Sequence, residues 1–275
     1  DRTRHIDTLG AHDEPVFLAY RASTEIDAQV AAITRTDPAY DFVTDDGVGH
    51  TLWVATKAQS EALSKLFANV PNLYVADGHH RSAAAERVHA AREGQPGEHD
   101  VFLAVVFPHD QLQILPYNRL VRDRQGRSPE ALLDALRGVL DLTPATRPEP
   151  QEPRVMGLYV GGRWYHGRVR EGSYDPRDPV ASLDASLCQS LVLAPLFGIT
   201  DPRKDTHVDF VGGIRGTAEL ERRVSAEGWS LAVALHPTRI DELLAVSDAG
   251  ELMPPKSTWF EPKLRSGLFV HLFET

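Results

Sequence analysis

The stretch Leu73-Tyr74-Val75-Ala76-Asp77-Gly78-His79-His80-Arg81 restricts the fold more than any other in the chain. A short apolar run ends at a carboxylate and a glycine. Residues 82–94, SAAAERVHAAREG, then read as a helix stopped by Gly94. The apolar run is too brief for a helix, glycine permits a sharp bend, and the alanine-rich segment favours helix. Together they predict strand, turn and helix in that order.

The same alternation recurs along the chain. EPVFLAYRAS (14–23) reads as a strand, and Ser23 and Thr24 before Glu25 give a capping pattern for the next helix. HTLWVAT (50–56) is strand-like and KAQSEALSKLFANV (57–70) has apolar residues at helical spacing. DVFLAVVFP (100–108) and LQILPYNRLV (112–121) look like paired strands around a turn at His109-Asp110. Ser128 caps a helix with Pro129 in its first position. RVMGLYVGGRWYHGRVR reads as a hairpin turning at Gly161-Gly162, and a helix is expected over 181–197. LAVALH reads as a later strand and GLFVHLF (267–273) as a final one. This mixture predicts an α+β protein in two parts. A first mixed domain spans 1–125, and a C-terminal α/β domain spans 126–275, divided near the turn DRQGRSPE.

Charge narrows the function classes. The chain carries 29 basic and 39 acidic side chains, a net −10, and no basic run, so nucleic acid is not the expected partner. No stretch reaches membrane-span length and no leader pattern is present, so a cytoplasmic protein without a membrane partner is expected. The single cysteine, Cys188, excludes an internal disulfide, and its apolar surroundings suit a small buried hydrophobe.

The residues at 77–82 have a common chemistry. A helix start offers free N–H groups and the positive end of a dipole, which suits a phosphate. Gly78 allows close backbone approach, and Arg81 can clamp an anion with its planar fork. His79 and His80 can donate hydrogen bonds or move protons, Asp77 can orient a histidine, and Ser82 belongs to the same turn. Each of these residues is also common in solvated turns; their combination is what points to a ligand. Neighbouring histidines converge poorly on one ion, and no GxxxxGK[ST] or strand-following GxGxxG is present. Metal-dependent hydrolysis by His79, His80 and Asp77 is therefore the weaker alternative.

Three further groups are candidates. Pro254-Pro255 stiffen the approach to Lys256, Ser257 and Thr258, a cation and two hydroxyls suited to phosphate. In DPRKDTHVDFVGG, Asp201, Asp205 and Asp209 recur every four residues. Asp205 is a candidate Mg2+ ligand, Asp205 and Asp209 are candidate contacts to an amino group, and Gly213 is a candidate backbone contact. Asn118 and Arg119 close a strand after Pro116 and could line a substrate pocket.

VADGHHRSAAA, ILPYNRLV, LDASL with DPRKDTHVDFVGG, and MPPKSTWFEPKLRSGLFV together resemble the "domain of unknown function 1015" family along the length of the chain. That family is similar to the ParB/sulfiredoxin-like superfamily, which implies a small α+β domain whose loop at a helix start binds nucleotide phosphate. Members with a similar loop include free-serine kinases. The resemblance implies that Gly78, His79, His80 and Arg81 cradle phosphate, with Asp77 in the same pocket and Pro254 to Thr258 lining it. It implies a phosphotransferase that uses ATP or ADP with Mg2+ to convert L-serine to O-phosphoserine. Two departures stand out. Relatives carry an upstream His-Glu-x-Thr motif that is not found in residues 1–76, so the catalytic carboxylate has no position here. Relatives also have histidine where this chain has Asn118. Both departures support the alternative, a non-catalytic nucleotide-binding regulatory module of the ParB-like fold.

Overall fold

The computed structural model describes residues 2–93, 97–261 and 263–273; the helix stop expected at Gly94 lies outside them. Contacts divide the chain into two units. The first holds the residues up to Leu112 and those from Lys263 onward, and the second begins at Gln113. The division expected at 125/126 is thus displaced, and the final segment belongs to the first unit.

Strand pairing explains the displacement. Ala104–Pro108 and the strands after it do not form the expected hairpin. Ala104–Pro108 lies parallel to Val16–Tyr20, whereas Gln113–Leu115 pairs with Trp259–Glu261 and Tyr117–Val121 pairs with Val208–Gly212 and Leu231–Leu235. Hydrogen bonding therefore switches partners after the short turn at His109–Gln111.

In the first unit, Val16–Tyr20 is the centre of a three-stranded sheet, antiparallel to Tyr74–Asp77 on its other edge. All five of its residues are buried, so it lacks the alternation of a half-exposed strand. Ser23 caps the helix Thr24–Ile33, its hydroxyl accepting from the Ile26 amide, and Thr56 with Gln59 forms a capping box on Lys57–Phe67. Tyr40–Val43 and Gly49–Leu52 form a hairpin. Ala11–His12 pairs with His271–Leu272, placing His12 opposite His271. The helices Arg2–Leu9 and His79–Ala91 share a small core of Ile6, Ala84, Val88 and Phe273.

The second unit is built on a six-stranded antiparallel sheet. Its order is Val208–Gly212, Tyr117–Val121, Leu231–Leu235, Val155–Val160, Arg163–Val169, Leu140–Pro144. The hairpin turns at Gly161-Gly162 as expected, with φ of 57° and 80°, and pairs Val160 with Arg163. Both faces of the sheet are covered. Leu231, Val233 and Leu235 join one core, with Leu132, Leu136 and Phe197, while Ala232 and Ala234 join the other, with Leu220 and Trp229. The two-residue period of a strand thus sends alternate side chains into opposite layers. Ser128 caps the helix Pro129–Val139 with proline at its start. The expected helix at 181–197 forms from Asp184 to Phe197, with a π-helical turn at Cys188–Leu193. Cys188 is fully buried, and burial pushes its thiol up to about 11. No helix among the described residues is long and apolar enough to cross a membrane.

Candidate functional site

The strand Tyr74–Asp77 runs directly into the helix His79–Ala91 through Gly78. Gly78 has φ 93° and ψ 25°, the left-handed region that glycine enters without a steric penalty. Its amide donates to Asp77 Oδ1 at 2.8 Å. Its carbonyl accepts from the amides of Arg81 and Ser82, at 2.8 and 3.0 Å, and so starts the helix. No side chain caps this helix, and its first turn carries no acidic residue. The leading amides of His79 and His80 have no partner within a helix and are open to an acceptor from outside. His79 and His80 are exposed. Ser82 turns inward, its hydroxyl donating to the His79 carbonyl at 3.2 Å.

Arg81 folds back beneath this turn. A Cβ at Gly78 would lie 2.7 Å from Arg81 Nε and 2.9 Å from Nη2, so any other residue here would displace the guanidinium. Arg81 Nη1 donates to Glu14 Oε2 at 3.2 Å, while its Nε is buried without a hydrogen-bond partner. Asp77 is half-exposed, with its Oδ2 3.6 Å from Lys263 Nζ.

Arg81 also reaches a pocket of about 360 Å3 inside the first unit. Arg2, His5, His12, Asp13 and Glu14 supply its polar lining. Burial works to raise the Glu14 pKa, but hydrogen bonds from Arg2, Arg81 and Ser266 hold it below the ordinary carboxylate value. His5 Nε2 lies 3.4 Å from Asp13 Oδ2. His12 is 5% exposed, and neither ring nitrogen has a hydrogen-bond partner. None of these residues is apparent as a site in the sequence. The run His12-Asp13-Glu14 ahead of the strand was the available signal, but the rest of the wall comes from distant segments.

The remaining candidates lie in the second unit. Asn118 and Val211 are paired across two strands, as are Arg119 and Phe210. Asn118 is 2% exposed, its Oδ1 accepts from the Leu235 amide, and it lines a small pocket with Gly213 and Leu235. Arg119 is buried, donates to the carbonyls of Tyr117 and Lys256, and lies over the Phe210 ring. Desolvation lowers its pKa. Ser257 is buried and its hydroxyl donates to the Pro254 carbonyl at 2.7 Å, within its own turn. Lys256 is exposed, in a left-handed conformation with φ 56°, and its Nζ lies 5.2 Å from the centre of the Tyr117 ring. Thr258 is partly buried.

The carboxylates expected to hold Mg2+ are neutralised by arginines. Asp205 accepts from Arg124 Nη2 at 2.6 and 2.7 Å and from the His207 amide at 2.9 Å. Asp209 accepts from Arg223 at 2.7 Å. Among the described residues no group of three or more His, Cys, Asp or Glu could hold a metal ion, and Asp205 is paired with Arg124. Gly213 donates to the Pro116 carbonyl at 2.7 Å, and a Cβ there would meet Pro116 at 2.6 Å; its glycine serves packing.

The architecture and the ordered motifs define a member of a known family. The chain belongs to the family described as protein of unknown function DUF1015, which it matches over residues 1–186. The curated proteins contain no match. Among solved structures, it is similar to a conserved hypothetical protein from Pyrococcus furiosus, at 11% identity and TM-score 0.43, covering 97% of this chain and 84% of that one. It is also similar to SbnI with C-terminal truncation from Staphylococcus aureus, at 14% identity and TM-score 0.48, covering 98% and 78%. A free serine kinase in complex with AMP matches at 11% identity and TM-score 0.38, covering 91% and 85%.

Proposed function

We propose that the chain is a nucleotide-dependent phosphotransferase that moves a phosphoryl group from ATP or ADP to the hydroxyl of a free amino acid, L-serine. One observation carries the reading: an uncapped helix start, free of acidic residues, opened by a left-handed glycine and flanked by His79, His80 and Arg81. In a ParB-like nucleotide site, the helix amides and Arg81 would take the phosphate oxygens while His79 or His80 donates to the transferring group. Ser82 stands at the same turn. In the second unit, Lys256 and Thr258 are candidates for contacts to an anion on their own turn, which Ser257 holds.

The bond between the nucleotide's bridging oxygen and its terminal phosphorus breaks as the acceptor's oxygen bonds to that phosphorus, and the acceptor's proton leaves to a base. Mg2+ would enter with the nucleotide's phosphates; among the described residues no group of three or more His, Cys, Asp or Glu could hold it. Asp77 is the carboxylate nearest in sequence to the turn, and it would act by orienting His79 or His80.

A second reading has its own support. The carboxylates in contact with the turn, Asp77 and Glu14, are both engaged by cations. That suits a module which binds nucleotide and responds without turnover. One experiment separates the two. The full-length protein is incubated with Mg2+, ATP or ADP and a panel of free amino acids, with product followed by mass spectrometry and Arg81→Ala as control. Phosphoserine that disappears in the variant supports the kinase. Nucleotide binding abolished by Arg81→Ala, without product from any acceptor, leaves the regulatory module.

A further inference from the structure

The second unit contains a cavity of about 190 Å3, walled by the strands Tyr117–Val121 and Leu231–Leu235, the loop at 149–150 and the start of the helix Gly216–Glu227. Asn118 sets its inner chemistry. The side chain is 2% exposed, and its Oδ1 accepts from the Leu235 amide at 3.1 Å. A backbone N–H can only donate, so the carboxamide oxygen must face Leu235 and the nitrogen must face the other way. Among the described residues nothing accepts from Nδ2, and Asn118 lines the cavity. A nearly buried amide nitrogen thus keeps its donors unused beside a space large enough for a ligand. Buried donors rarely go without an acceptor.

The exposed end has the opposite polarity. Glu149 is exposed there, and its Oε1 accepts from the Thr217 hydroxyl at 2.7 Å. Of the described residues lining the cavity, Glu149 alone is charged, so no lysine or arginine in the wall neutralises an anion. The helix that starts at Gly216 has no side-chain cap, and its leading amides carry partial positive charge beside Thr217. A helix start supplies about half an elementary charge, less than Glu149 takes away, and leaves nothing for a phosphate or a carboxylate. The remaining walls are apolar: Pro116, Pro150, Ala234, Leu235 and Pro237. Three of the five are prolines, whose fixed backbone angle makes for a preformed cavity.

We infer that this cavity binds a small neutral primary carboxamide with an apolar body. The ligand's carbonyl oxygen accepts from Asn118 Nδ2, its N–H group donates to Glu149, and its hydrocarbon part lies against the prolines. An amide carries an acceptor and a donor side by side without net charge, which is the pattern these walls set. The ligand is neither the phosphoryl donor nor the acceptor proposed above, and the site stands whether or not the chain transfers phosphate.

Titration of the isotope-labelled full chain with isobutyramide, and with its isostere isobutyrate, tests the assignment by magnetic resonance. Isobutyramide is expected to move the side-chain amide resonances of Asn118, a readout that needs no variant to fold. It is also expected to bind at least tenfold more tightly than isobutyrate. Asn118→Asp keeps an oxygen toward Leu235 and replaces the donor with an acceptor, so a folded variant is expected to bind isobutyramide at least tenfold more weakly. Glu149→Gln changes an exposed side chain and removes the one charge in the wall. It is expected to raise isobutyrate affinity at least threefold. Asn118 resonances that stay in place would mean a cavity filled by water alone and would overturn the inference. So would isobutyrate binding to the wild type as tightly as the amide, or a Glu149→Gln variant whose preference is unchanged.

Discussion

Replacing Gly78 with alanine should damage the first unit in two separable ways. A residue with a Cβ held at φ 93° sits in left-handed space, at a cost of about 1–2 kcal/mol. The new Cβ would also lie 2.7 Å from Arg81 Nε. The guanidinium is the mobile end of a long side chain, so it moves and breaks its 3.2 Å pair with Glu14. Both partners are partly exposed, and such a pair contributes only ~0.2–1 kcal/mol. Together the two effects come to about 1.2–3 kcal/mol. Hydrogen exchange at the Ala84, Ala85 and Val88 amides measures it, because these residues are buried on the same helix. In an Arg81→Ala background the second effect vanishes, and Gly78→Ala should cost only the backbone part. A change in protection below about 0.5 kcal/mol would refute the left-handed assignment, since strain of that kind cannot be hidden. Equal costs in the two backgrounds would refute the overlap with Arg81.

Other outcomes follow from the second unit. Gly157→Ala would put a Cβ 2.1 Å from the Pro148 carbonyl oxygen, a backbone atom that cannot swing away, so a loss of about 3 kcal/mol is expected in urea unfolding. Burial raises the Asp184 pKa to about 6, although it accepts hydrogen bonds from Arg154. The folded state therefore holds a proton that the unfolded state releases. This group's contribution to stability falls as pH rises from about 4 to 6, by up to roughly 3 kcal/mol. Asp184→Asn should flatten that part of the stability curve, read by unfolding at a series of pH values. Asp205→Asn should cost less than ~1 kcal/mol, because Arg124 is 44% exposed, and should leave the Mg2+ dependence of any nucleotide reaction unchanged in a titration.

Local chemistry made part of this structure readable. The strand, glycine and helix at 73–91, the Ser128-Pro129 start and the Gly161-Gly162 turn each depend on residues adjacent in sequence. The helix Arg2–Leu9 escaped notice because Ile6 is its one buried residue and no apolar period marks it. Pairing was illegible for a different reason. Gln113–Leu115 finds its partner near residue 260, and nothing in either strand specifies the other. At the candidate site, the turn at 77–81 was legible, whereas the pocket with His12 and Glu14 was not, because its walls come from three distant segments. Lys256-Ser257-Thr258 looked like a phosphate contact, yet a hydroxyl can satisfy its own backbone, as Ser257 does.

The pairing of His12 with His271 bears on how the protein is born. The ribosome delivers the two strands separated by more than two hundred residues. At ~5–20 residues per second the earlier strand waits on the order of ten seconds or more for its partner. Phe273, which packs on Ile6, Ala84 and Val88, arrives later still. The stretch from Gln113 onward has no such delay and can close its own sheet while synthesis continues. The first unit to be translated is thus the last to be finished. During that interval the strand that carries His12 stays unpaired and the helix faces that Phe273 covers stay open.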